Sequence, residues 1–114
     1  MTTIWHNPRC SKSRQTLALL QARNEDVTIR KYLEDAPSVT ELTLTCDTLG
    51  LRAIDMMRTG ETLFKELEIS KTAPDDALLN MMAAHPILIE RPIVFANGRA
   101  VIARPPERVF DILG

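Results

Sequence analysis

Polar and apolar positions change rhythm several times along the chain, and each change marks an element. "TTIWH", residues 2–6, carries the β-branched and aromatic side chains of a buried strand, and Asn7-Pro8 then breaks it into a turn. From Ser11 to about Arg23 the apolar Leu17, Leu19, Leu20 and Ala22 gather on one side, while Lys12, Ser13, Arg14 and Gln15 are polar. That period predicts a helix beginning at or just after Cys10. "VTIRKYL", residues 27–33, alternates again and predicts a second strand.

The middle of the chain reads as helical. Ser38 and Glu41 form a capping-box pair, and Gly50 suits a left-handed C-terminal cap, which brackets a helix over residues 39–49. Residues 53–57 and 61–67 read as short helical pieces broken by Gly60. "PDDALLNMMAAH" predicts another helix, with Pro74, Asp75 and Asp76 in its first turn. "IVFANGRAVIA" is two short apolar runs joined by Asn97-Gly98, the strongest short-range hairpin signal. Pro105-Pro106 then starts a last helix, with Glu107 in its opening turn and Val109, Ile112 and Leu113 on its apolar side. This order predicts an α/β fold, a sheet of three or four strands with helices on both faces.

A length of 114 residues without a Gly/Ser-rich or Pro-rich linker predicts one domain over residues 1–114. Composition adds little, since 45% hydrophobic and 25% charged residues are ordinary for a globular protein and speak against disorder. A net charge of −1 supplies no general attraction to nucleic acid or anionic membrane, so any basic site is local. Trp5, His6 and Arg9 interrupt the first ten residues before any apolar run of signal or membrane-span length can form, and a cytoplasmic protein is expected. Two cysteines do not make a disulfide framework, so Cys10 and Cys46 are read as reduced thiols.

The candidate chemistry lies in "HNPRCSKSR", residues 6–14. A thiol at a helix N-terminus is driven toward the thiolate by unpaired backbone N–H groups and the positive end of the helix dipole. The same N–H groups offer a site for an oxyanion, with Asn7, Ser11 and Ser13 close by in sequence. His6 and Arg9 are expected to lower the Cys10 pKa further. Cys10-Ser11-Lys12-Ser13 has serine where a resolving cysteine would stand, so turnover needs a second thiol from elsewhere. Cys46 is read as a small, half-buried hydrophobe.

Three arginines stand in predicted loops or at element ends: Arg58 in "MMRTGE", Arg91 in "IERPIV" and Arg104 in "IARPPE". Taken singly, each reads as a solvated surface residue. Arg91 and Arg104 both precede prolines, which biases their backbones toward extended conformations, and they flank the predicted hairpin at the same end. Guanidinium groups converging on a thiolate would hold a tetrahedral oxyanion through forked hydrogen bonds.

"HNPRCSKSR", "HPILIERPIVFANG" and "ARPPE", in this order and spacing, resemble the glutaredoxin-coupled arsenate reductase family, especially its short members, over essentially the whole chain. The resemblance implies a thioredoxin/glutaredoxin-like fold with a helical insertion before the terminal hairpin and a cis Arg91-Pro92 bond. It implies Cys10 as nucleophile, His6 as the imidazole supporting its thiolate, and Arg58, Arg91 and Arg104 around the oxyanion, beside Ser11 and Ser13. The implied reaction is reduction of arsenate to arsenite through a Cys10 adduct. Glutathione would be co-substrate and glutaredoxin the partner, with no metal or tightly bound cofactor and a monomer as the working unit. Two other functions stay open at this point: a glutathione-dependent thiol-disulfide reductase, and a regulatory module of the same broad fold that binds RNA polymerase. Three arginines aimed at one anion weigh against the first, and Ser13 in place of a second cysteine weighs against the second.

Overall fold

The computed structural model describes residues 2–113. Four strands form one mixed sheet in the order β2-β1-β3-β4: β1 is Thr2–Trp5, β2 Val27–Arg30, β3 Ile93–Ala96 and β4 Arg99–Ile102. β1 runs parallel to β2 and antiparallel to β3, and β3 and β4 are antiparallel. A parallel pair needs a crossover, supplied here by α1, Ser11–Ala22. The remaining helices are α2 (Val39–Leu49), α3 (Thr62–Glu66) and α4 (Asp75–Ala84), with 3₁₀ turns at Ala53–Met56, Pro86–Leu88 and Pro106–Asp111. The topology is thioredoxin-like, with a helical insertion between β2 and β3. No helix among the described residues is long and apolar enough to cross a membrane.

The described residues pack as two compact units, 2–35 with 91–113, and Ala36–Glu90. In the first unit Ile4, Val94 and Val101 are in register across β1, β3 and β4. With Leu20 of α1 and Val109 and Ile112 near the C-terminus they form a buried cluster. A fully buried aliphatic side chain of this kind contributes about 1.5–3 kcal/mol, so this row anchors the sheet and its register. Asn97 and Gly98 both have positive φ, 55° and 71°, the requirement of a type I′ turn. The Asn97 amide also donates to the Ile112 carbonyl at 2.9 Å, tying the hairpin to the C-terminal segment.

In the second unit α2 packs against α4, and Leu42, Met56, Leu78, Met82, Leu88 and Ile89 are almost wholly buried. The capping box is complete, Ser38 accepting from the Glu41 N–H and Glu41 accepting from the Ser38 N–H, and Gly50 takes the left-handed cap. Met57 bridges Ile89, closing this segment on itself.

Three expectations need correction. The second strand ends at Arg30 rather than at 33, because the Glu34 and Asp35 N–H groups both turn back to the Lys31 carbonyl, at 3.0 and 2.9 Å. The segment after Pro105 is a 3₁₀ turn and not an α-helix, with bonds such as Arg108 N–H to Pro105 O that span three residues. Pro74 precedes α4 as its N-cap rather than standing in the first turn, which Asp75 and Asp76 occupy.

Candidate functional site

The end of β1 leads straight into the site. The His6 N–H donates to the Arg30 carbonyl at 2.8 Å, prolonging the β1–β2 ladder by one bond. The chain then folds over itself: the Asn7 side chain accepts from the Arg9 N–H and the Asn7 carbonyl from the Cys10 N–H, both at 3.0 Å. Cys10 is the N-cap of α1, its backbone extended at φ −91° and ψ 123°. Cysteine lacks the oxygen that Ser, Thr, Asp and Asn use to satisfy first-turn N–H groups, so the Lys12 and Ser13 amides meet a sulfur there instead. The first turn therefore keeps donors available to a negative charge.

The buried Cys10 would have its pKa raised by desolvation, yet the net shift is downward. The Ser13 backbone N–H, the Arg91 guanidinium and the Lys12 backbone N–H outweigh burial, and Arg91 also hydrogen-bonds the sulfur. These groups do what the sequence assigned to His6 and Arg9. His6 is itself buried, and its pKa is lowered by desolvation first and then by Lys31 and Arg14. A histidine so held is neutral and brings no cation to the thiol. Its Nδ1 lies 2.6 Å from the Ser13 hydroxyl, which also accepts from the Asn7 N–H at 3.0 Å. Ser13 therefore presents a backbone amide to Cys10, while its wholly buried hydroxyl faces inward and cements the loop. Ser11 occupies the first helical position, exposed.

Strand register delivers the arginines. Trp5, the last residue of β1, pairs with Ile93, the first of β3, and Ile93 pairs with Ile102, the last of β4. Arg91, two residues before Ile93, and Arg104, two after Ile102, thus emerge at the end of the sheet where the Cys10 loop begins. Arg104 donates from Nη1 to the Arg91 carbonyl at 3.1 Å. Both arginines precede cis-prolines; the bond at Arg91-Pro92 was expected from the resemblance, and that at Arg104-Pro105 was not anticipated.

Arg58 belongs to the other unit, where it pairs with Glu61 at 2.9 Å and lies 3.5 Å from the Ile87 carbonyl. Cys46 is on α2, its sulfur 3.9 Å from that of Met56. Burial raises its pKa, and Asp75, Asp47 and Asp55 raise it further, so it is a packed thiol and a poor nucleophile at neutral pH. Sequence reasoning missed the inward Ser13 hydroxyl and the effect of Lys31 on His6. Neither had a local signal.

The assembly in the first unit is an ionisable thiol with amide donors beneath it and a guanidinium beside it, suited to attack on an electrophilic oxyanion. Residues 5–112 match the ArsC family. An arsenate reductase of Neisseria meningitidis serogroup A is 47% identical over 112 residues, covering 96% of each chain. The uncharacterized protein YfgD of Escherichia coli K12 is 44% identical, covering 97% of this chain and 95% of YfgD. A solved arsenate reductase structure from Vibrio cholerae superposes with a TM-score of 0.95 at 52% identity, over 98% of this chain and 97% of that one. With a family match across nearly its whole length and relatives this similar over their full extent, the chain belongs to the ArsC family.

Proposed function

We propose that this protein reduces arsenate to arsenite, with glutathione and glutaredoxin as reductants, in the cytoplasm. The observation that carries the reading is the Cys10 thiol, turned toward the thiolate by the Ser13 and Lys12 amides and by Arg91. The thiolate attacks arsenic and one oxygen, protonated, leaves as water, giving a Cys10–S–As(V) adduct. Arg91 and Arg104 hold the remaining oxygens, and the amides at the start of α1 share their charge. Arg58 joins them on the strength of the family resemblance. A glutathione thiolate then attacks the adduct. Two thiols together supply the two electrons that take As(V) to As(III); arsenite leaves, and glutaredoxin reduces the resulting mixed disulfide. No metal or tightly bound cofactor is required.

The test is arsenite production by purified protein with glutathione and glutaredoxin, with thioredoxin as the comparison reductant. Cys10→Ser should abolish it with the fold intact, whereas Cys46→Ser should retain it. Reduction of a glutathione mixed disulfide without any arsenite would replace this function by a thiol-disulfide reductase. Loss of activity in both variants with unchanged melting curves would make Cys46 a participating thiol.

A further inference from the structure

A cavity of about 250 Å³ opens beside the Cys10 loop, and none of Cys10, Arg91 and Arg104 lines it. Its walls are the loop from His6 to Arg9 on one side and Lys31, Leu33 and Glu34 on the other. Arg9, Lys31 and Glu34 are exposed, and none is held in an ion pair with another described residue. Two cations and one anion thus stand uncommitted around a concave surface one peptide bond from the nucleophile. Lys31 acts across this space already, since it is one of the charges that keep His6 neutral.

We propose that this cavity seats the tripeptide of glutathione, a reading that rests on the proposed use of glutathione as co-substrate and gives it a place on the protein. Glutathione carries two carboxylates and one ammonium, the complement of Arg9, Lys31 and Glu34. Its carboxylates sit at opposite ends of a chain whose extended span is about 10 Å. The thiol lies between them, so a tripeptide held at both ends presents its sulfur from the middle rather than burying it. Leu33, 41% exposed, offers the apolar surface that the methylenes of the γ-glutamyl arm cover.

The experiment uses S-methylglutathione, whose blocked sulfur forms neither disulfide nor arsenic adduct, titrated into the ¹⁵N-labelled full chain. Saturable shifts are expected at the amides of Asn7, Arg9, Lys31 and Leu33. The same compound with both carboxylates esterified should not produce them. Lys31→Ala should weaken binding about threefold, as for loss of an exposed charge pair, and Lys31→Glu by more, because it turns attraction into repulsion. In the arsenate assay Lys31→Glu should raise the KM for glutathione by a larger factor than the KM for arsenate. Shifts confined to other parts of the chain, equal binding of the diester, or unchanged affinity in Lys31→Glu would each overturn the site. Binding in the cavity with no arsenite formed would refute the reaction and leave the site standing; arsenite formed with no shifts in the cavity would do the reverse.

Discussion

Ser13→Ala separates the scaffold of the site from its chemistry. The Ser13 hydroxyl is wholly buried and holds two partners, His6 Nδ1 at 2.6 Å and the Asn7 N–H at 3.0 Å. Removing it leaves both without that partner, and a buried polar group so stranded costs about 1–3 kcal/mol. Asn7 is half-buried, which puts its share at the lower end, so the expected total is about 2–4 kcal/mol. For a chain of this length about 1 kcal/mol moves the melting temperature by about 4 °C, giving a fall of roughly 8–16 °C by calorimetry. The Cys10 thiol should respond differently. What Ser13 offers it is a backbone N–H, and alanine keeps that group. The midpoint of Cys10 alkylation against pH, measured with iodoacetamide in a Cys46→Ser background, should therefore stay below the ordinary thiol value of about 8.5. A melting temperature within about 2 °C of the parent would refute the energetic part. A midpoint restored to the ordinary value would show that the hydroxyl, not the amide, acidifies the nucleophile.

Arg91→Lys and Arg104→Lys keep a positive charge but lose the planar fork, and each should lower kcat/KM for arsenate about ten- to a hundredfold, the equivalent of one charged hydrogen bond. Arg58→Lys should do the same if it holds the anion, whereas activity on a neutral glutathione mixed disulfide should change far less in all three. Stability should also depend on pH through His6, whose folded pKa lies below its unfolded value. Its contribution is present above about pH 6.5 and is lost as pH falls through the folded value, because the unfolded chain then binds the extra proton. Urea midpoints at about pH 5 and about pH 7.5 should differ less in His6→Gln than in the parent, and an equal difference would assign the slope to other groups.

The elements that local chemistry defines at both ends were legible in the sequence. The Ser38–Glu41 pair and Gly50 bound α2 to the residues expected, and Asn97-Gly98 made the hairpin. Elements whose ends depend on distant groups were not. Alternation continues through Lys31 and Leu33 as it would in a strand, but the turn of Glu34 and Asp35 onto the Lys31 carbonyl ends the pairing. Two prolines signal a helix start after Arg104, yet nothing local distinguishes 3₁₀ from α bonding in the six residues that follow.

The same division runs through the candidate site. Placing Cys10 at a helix start needed only the Asn7-Pro8 turn and the polar-to-apolar rhythm behind it, and that position accounts for the amide share of its acidity. Which cation meets it is a question of register. Arg91 reaches Cys10 because β3 is bound to β1 with Trp5 opposite Ile93, and a slip by one residue would turn every side chain of β3 to the other face of the sheet. That register is held by Ile4 and Val94, both wholly buried, rather than by anything in the site. The apolar core thus aligns the guanidinium with the thiol, while the polar contacts of His6, Ser13 and Asn7 fix only the loop that carries the thiol. Sequence motifs display the loop and the arginine separately. Their meeting is a property of the core between them.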